Sequence, residues 1–390
     1  MPHAYIYSAG RTPIGRFRGA LSSLAATDLG AQVIAAALQR SRIPPEGVES
    51  VILGQVLTAG VGQAPARQAA LKAGVPARAA ALTINQVCGS GLQAVMLAAQ
   101  AIRCQDAQVV VAGGMESMSR AGYVLSREAP ALGDRTLVDS LQFDGLTCAS
   151  SGRLMGDIAE GLVRQLGLTR LDLDQYALVS HRRACAAIAA GTFQQEIVAV
   201  TVRVKREDRR VEQDEGPRAE TSLESLAALS PVFRPEGVVT AGNASMISDG
   251  AAALVIGSEL TAQRYGIQPL ARIVASVTVG GPPEELFLAP VQAILQVAQR
   301  AQCSLQDIDL FEINEAFAAQ VLGCLRGLDL SPDRVNVHGG AIALGHPLGA
   351  SGARVLVTLL HALHAQQKRL GIAALCLGGG NAVAMLVERC

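Results

Sequence analysis

The sequence has 390 residues, half of them hydrophobic, with 33 basic and 33 acidic side chains and no tryptophan. That balance leaves no electrostatic footprint for nucleic acid, and no uninterrupted apolar run reaches the length of a membrane span. The cysteines Cys88, Cys104, Cys148, Cys185, Cys303, Cys324, Cys376 and Cys390 form no C-x-x-C pair and have no histidine at zinc-ligand spacing, so neither a zinc site nor a disulfide framework is expected. The chain runs at once into a strand-like segment, Ala4–Ser8, without a charged-plus-apolar leader. A reducing, cytoplasmic setting is expected.

Strand and helix patterns alternate through the first part. Ala4–Ser8 and Val51–Leu53 read as short buried strands, and Asp28–Arg40 as a helix. Leu92, Val95, Met96, Ala99 and Ile102 fall on one helical face. Gln108–Ala112 reads as a buried strand that ends at Gly113-Gly114. The last third repeats the order: strand Ala271–Thr278, helix Pro290–Ala301, strand Asp309–Ile313, a helix marked by Leu356, Leu359, Leu360 and Leu363, and strand Ile372–Leu377 before Gly378-Gly379-Gly380. The two series are offset by about 260 residues, which predicts two copies of one βαβ-type unit. Parallel strands joined by helices need both sheet faces covered, so a layered α/β architecture is expected.

The repeat also exposes an insertion. Gly378–Gly380 leads directly into a final strand, Ala382–Val387, whereas the matching strand, Ala251–Ile256, follows Gly114 only after about 130 residues. Residues 118–246 are therefore expected to form a separate lobe, with 1–117 plus 247–268 as one half of the scaffold and 269–390 as the other. Within the lobe, Ala159, Leu162, Val163 and Leu166 share a helical face closed by Gly167, and a second helix is expected from Asp172 to Gly191. The charged stretch Arg203–Arg218 reads as solvated loop.

Four places carry candidate chemistry. Cys88, in Asn85-Gln86-Val87-Cys88-Gly89-Ser90-Gly91, precedes a helix. It is either a structural cysteine in a glycine-rich turn or a nucleophile whose pKa the helix N-terminus lowers. His346, in Gly345-His346-Pro347-Leu348-Gly349, occupies the matching place in the second copy. It is either a capping residue or a general base brought beside Cys88 by pseudo-symmetry. His338, in Asn336-Val337-His338, reads as support. Cys376, before Gly378, is either a buried strand cysteine or an acid/base at the same site, with the glycine run offering backbone N–H groups for an oxyanion. Asn314, in Asn314-Glu315-Ala316-Phe317, either caps a helix or orients a water or an enolate.

Together with Gly113–Met118, Gly242-Asn243-Ala244-Ser245 and Gly345–Gly352, these stretches resemble the thiolase family over nearly the whole chain. The resemblance implies a thiolase-like αβαβα fold of two pseudo-symmetric halves with an inserted loop domain. It also implies an acyltransferase of lipid metabolism that acts through an acyl-Cys88 intermediate by ping-pong chemistry. His346 would take the thiol proton and Cys376 would exchange a proton with Cα. Asn314 would hold a water against the enolate, and the N–H groups of Cys88 and Gly378 would bind the oxyanion. Coenzyme A and acetyl-CoA are then substrates, with no permanently bound cofactor or metal. Leu146, Met155, Arg218, Phe233, Ser245, Ala316 and Phe317 are the implied CoA contacts. A homodimer or homotetramer is expected by the same analogy. Departures from the family pattern fall at Leu154, Asp157, Ser248 and Ala382, and at Ala228-Leu229-Ser230, which lacks a nearby lysine; they bear on chain length and CoA affinity. A decarboxylating condensing enzyme, a thioesterase-like hydrolase and a non-catalytic acyl-CoA binder are the competing readings. Cys376 and Asn314-Glu315-Ala316-Phe317 count against the first, the lack of a dedicated water-activating carboxylate against the second, and the intact trio Cys88, His346 and Cys376 against the third.

Overall fold

The computed structural model describes residues 2–128 and 132–390. Its first part runs β1 (Ala4–Arg11), β2 (Gly15–Arg16), α1 (Ala26–Ser41), β3 (Ser50–Gly54), α2 (Pro65–Lys72), β4 (Ala80–Ile84), α3 (Ser90–Cys104) and β5 (Val109–Ser117). An excursion follows: β6 (Tyr123–Val124), β7 (Val138–Asp139), α4 (Met155–Leu166), α5 (Arg170–Ala189), β8 (Val200–Val204), β9 (Glu207–Val211) and α6 (Leu223–Ala227). The chain then returns through β10 (Ser248–Gly257) and α7 (Glu259–Tyr265). Its last part runs β11 (Ala271–Gly280), α8 (Ala289–Arg300), β12 (Leu310–Ile313), α9 (Ala318–Leu328), α10 (Ala341–Leu344), α11 (Leu348–Ala365), β13 (Leu370–Leu377) and β14 (Asn381–Arg389).

The main sheet has the order β12-β13-β14-β11-β1-β10-β5-β3-β4, with β2 paired to β10. Its two halves join where Ala4–Ile6 of β1 pairs with Ala271–Ile273 of β11. Helices α3 and α11 lie between the halves and share one apolar core with both. Helices α1 and α2 cover the outer face of the first half, and α8 and α9 that of the second. The layering is thus helix, sheet, helix, sheet, helix.

The sheet is mixed, where the repeat pattern predicts parallel strands. β3 is parallel to β4 and β5, and β12 to β13. β14 runs antiparallel to β13, because the short turn at Gly378–Gly380 cannot carry a crossover. β10 likewise runs antiparallel to β5 along its whole length. That pairing extends β5 through Gly113-Gly114 to Ser117 rather than ending it there. The strand is buried on both faces, and a Cβ at Gly113 would stand 2.0 Å from the Ala252 carbonyl oxygen.

The excursion also corrects two expectations. α5 starts at Arg170, ahead of Asp172, since Thr169 is the cap: its side chain accepts from the Asp172 N–H while the Asp172 carboxylate accepts from the Thr169 N–H. The charged stretch 203–218 is not all loop, for the hairpin of β8 and β9, which begins at Val200, runs through its first part. One of its carboxylates, Asp214, is buried and accepts two hydrogen bonds from Arg11, at 2.7 and 2.9 Å. Arg11 is itself fully buried and also donates to Glu196 at 2.5 Å.

Candidate active site

The starts of α3 and α11 cross at glycines. A Cβ on Gly352 would lie 2.3 Å from the Leu92 backbone nitrogen, and one on Gly91 would lie 2.7 Å from that of Ala353. Only hydrogen at these positions lets the two helices meet backbone to backbone. The crossing brings the turn before α3, which carries Cys88, to the turn before α11, which carries His346.

The Cys88 turn is strained and tied. Val87, a β-branched residue, holds φ +48°, a conformation uncommon for such side chains. Three hydrogen bonds fix it: the Val87 N–H donates to Asn85 Oδ1 at 2.9 Å, the Gln86 N–H to Ser90 Oγ at 2.8 Å, and the Ser90 hydroxyl to the Val87 carbonyl at 2.6 Å. Burial pushes the Cys88 thiol up to about 12, although the N–H groups of Gly378 and of Cys88 itself point at its sulfur. Desolvation outweighs those two hydrogen bonds, and the resting group is a thiol.

His346 is buried, and burial followed by the charge of Arg354 lowers its pKa to about 3, so the imidazole is neutral. Its Nδ1 lies 2.5 Å from Ser351 Oγ, and the Ser351 hydroxyl donates its own proton to the Pro347 carbonyl at 3.0 Å. Ser351 can then only accept from the ring, which places the imidazole proton on Nδ1 and leaves Nε2 as a base. Nε2 sits 3.5 Å from the Asn314 side-chain amide. Asn314 is fully buried at the end of β12, where its N–H donates to the Ala374 carbonyl. It does not cap α9, whose N-cap is Phe317.

Cys376 ends β13, buried, with its pKa raised well above the ordinary value by desolvation first and then by the neighbouring Cys88. The two sulfurs therefore share one environment, closed by Gly378 against Val87. Leu146 packs in the apolar cluster that holds Cys88. Met155, Phe233, Ala316 and Phe317 belong to the cluster that holds Cys376. The Ser245 N–H donates to the Ala316 carbonyl at 3.0 Å. Arg218 stands apart, exposed, with its backbone N–H on His181 Nδ1. His338 packs edge-on against Phe193.

Three supporting residues were not singled out from sequence. Ser351 was within reach, since it lies in the first turn of the helix that follows His346. Glu116 accepts from the N–H groups of Val56, Leu57 and Gly349 and so pins β3 to the start of α11; the signal was a carboxylate inside an apolar strand. Glu315 accepts from Tyr176, Ser180, Asn336 and the Ile342 N–H, and its partners are too scattered along the chain to be foreseen.

Known proteins match this chain along its length. The family description "Thiolase, N-terminal domain" fits residues 4–260, and "Thiolase, C-terminal domain" fits residues 267–389. An acetyl-CoA acetyltransferase of Escherichia coli is 51% identical over all of both chains. One from Cupriavidus necator is 48% identical, again over all of both chains. The solved structure of the Bacillus anthracis acetyl-CoA acetyltransferase superposes with a TM-score of 0.98 at 42% identity, covering 100% of this chain and 99% of that one.

Proposed function

We propose the following roles for the site residues from one premise: this chain belongs to the thiolase family, and it is an acyltransferase that forms or cleaves 3-oxoacyl-CoA. Thiolysis starts from a neutral thiol and a neutral imidazole. Cys88 attacks the 3-oxo carbon as His346 Nε2 takes its proton. The oxyanion lies against the N–H groups of Cys88 and Gly378. The bond between C2 and C3 then breaks, leaving an acyl-Cys88 thioester and the enolate of acetyl-CoA. Cys376 protonates that enolate at C2, and its raised pKa keeps the proton on the resting thiol for that task. The Cys376 thiolate next takes the proton of incoming CoA, whose sulfur attacks the thioester and frees the shortened acyl-CoA, while the departing Cys88 sulfur takes its proton back from His346. Claisen condensation is the same sequence reversed. Asn314 and His346 hold the enolate oxygen, directly or through a water.

The observation that supports this reading is the glycine crossing of α3 and α11, which brings the Cys88 and His346 turns together, with Cys376 near the end of β13 as a neighbour of Cys88. Leu146, Met155, Phe233, Ala316 and Phe317 are assigned to the pantetheine arm, since they belong to the apolar clusters around the two sulfurs, and Ser245 with them, since its N–H donates to the Ala316 carbonyl. Arg218, an exposed cation, is assigned to the CoA phosphates. Residues 118–246 are then the CoA-binding cover of a scaffold made of 1–117 with 247–268 and of 269–390. The subunit is proposed to act in the cytoplasm as a homodimer or homotetramer; β4 is an open sheet edge with Leu82 49% exposed. Among the described residues no helix is long and apolar enough to cross a membrane.

The test is cleavage of acetoacetyl-CoA in the presence of CoA, with intact-protein mass measured after mixing with acetyl-CoA. Acetyl-CoA as product, and an acetyl adduct that Cys88→Ala abolishes and Cys376→Ser retains, are expected. Equal loss of the adduct in both variants would overturn the assigned roles.

A further inference from the structure

We infer that Phe287 sets the length of acyl group this enzyme accepts, by walling the catalytic centre off from an adjoining cleft with room for a longer acyl chain. The inference rests on the thiolase reading above and adds the substrate class to it. The cleft has a volume of about 650 Å³, within the size range of small-molecule sites. It lies between the turn at residues 150–153, one face of α4, and the connection from β11 to α8. Its apolar lining comes from Ile158, Leu162, Phe287 and Leu288, and Arg153 and Glu284 stand among its polar residues.

Phe287 belongs to both spaces. It lines the cleft, yet only 2% of its surface is exposed, and it packs in the same apolar cluster as Cys376. Its ring meets that of Phe317 edge-on at 5.3 Å, and Phe317 meets Phe233 at 6.4 Å. The connection that carries Phe287 is anchored on the catalytic side as well: the Gly281 N–H donates to the Gly380 carbonyl at 2.9 Å, in the turn that follows Cys376. A buried aromatic ring held by a second ring and an anchored backbone is a stiff wall. With the wall in place, each added methylene has to displace packed side chains. With the ring cut back, the same methylene reaches the cleft beside Ile158, Leu162 and Leu288.

The experiment compares kcat/KM for thiolysis of acetoacetyl-, 3-oxohexanoyl- and 3-oxooctanoyl-CoA. The wild type should favour the shortest. Phe287→Ala should raise the ratio of 3-oxooctanoyl-CoA to acetoacetyl-CoA cleavage by about tenfold or more, the discrimination that one or two methylenes support in an apolar pocket. A second change fills the cleft from its far side. A Cβ on Gly161 of α4 would meet no atom closer than 3.9 Å, so Gly161→Phe has room to enter the cleft, and adding it to Phe287→Ala should return the ratio towards the wild-type value. If Phe287→Ala does not fold, Phe287→Leu, which keeps most of the apolar volume, should shift the ratio the same way by about threefold. An unchanged ratio in a folded variant that still cleaves acetoacetyl-CoA would overturn the wall, as would a wild type that cleaves all three substrates equally. Failure of the wild type to cleave any of them would instead overturn the thiolase reading on which the wall depends.

Discussion

The turns before α3 and α11 occupy equivalent places in the two halves, and both carry a titratable side chain at the start of a helix, half-buried at Cys88 and buried at His346. At Cys88 the strain is in the backbone, at Val87, and the local hydrogen bonds go to the turn itself. At His346 the hydrogen bonds go to the ring and fix its tautomer through Ser351. One turn positions an atom and the other positions a proton vacancy. Burial moves both pKa values toward the neutral form, up for the thiol and down for the imidazole, so neither half is reactive by itself. The chemistry comes from bringing the two turns together, which is what the glycine crossing does.

Removing the proton acceptor should break the comparison most severely. His346→Gln is expected to lower the rate of Cys88 acylation by about 10²–10⁴-fold, the usual range for a lost general base, read by stopped-flow with acetyl-CoA. Widening the crossing comes next. Gly352→Ala puts a methyl against the Leu92 backbone and should destabilise the fold by about 1–3 kcal/mol, measured by denaturant unfolding, with a larger fractional loss in kcat than in KM. Ser351→Ala frees the tautomer without removing the base. It should reduce acylation by about tenfold, as outer-shell partners of functional histidines commonly do, and Ser351→Thr should restore part of the loss.

The smallest effect is on stability in acid. The imidazoles of His181 and His346 are held neutral, at about 4 and about 3, below the ordinary 6.5. The unfolded chain therefore binds more protons than the folded one through that window. Stability present above pH 6.5 should be lost as pH falls towards 3, with a shallower slope in His181→Gln. Unfolding midpoints that do not change across those pH values would contradict the neutral assignment.

Much of this was legible in advance because the informative residues are local. Helical periodicity marks Leu92 to Ile102, and cysteine or histidine next to glycine before such a face marks a helix start. The thiolase motifs lie in the turns that carry the chemistry. What the sequence hid depends on contacts across the chain. In the hairpin of β8 and β9, only β8 alternates, as Val200-Thr201-Val202-Arg203-Val204, whereas β9 opens on four charged residues, Glu207 to Arg210, that mask it as a strand. The mixed direction of the sheet follows from β10 returning after the excursion to pair with β5. The neutral Cys88 thiol follows from packing by elements outside its own turn, among them Val56, Met118 and Leu348, which no reading of that turn could supply.

The Arg11 cluster carries a consequence for modularity. Its guanidinium lies in the scaffold strand β1, and both carboxylates that neutralise it, Glu196 and Asp214, come from the excursion. A trimmed chain in which a short linker replaced residues 118–246 would leave that cation buried and unpaired, a defect costing about 3–5 kcal/mol, comparable to a large part of the net stability of many domains. The inserted segment is thus no removable accessory. Although the repeat makes the two halves look self-sufficient, the smallest autonomous folding unit of this chain includes the insertion.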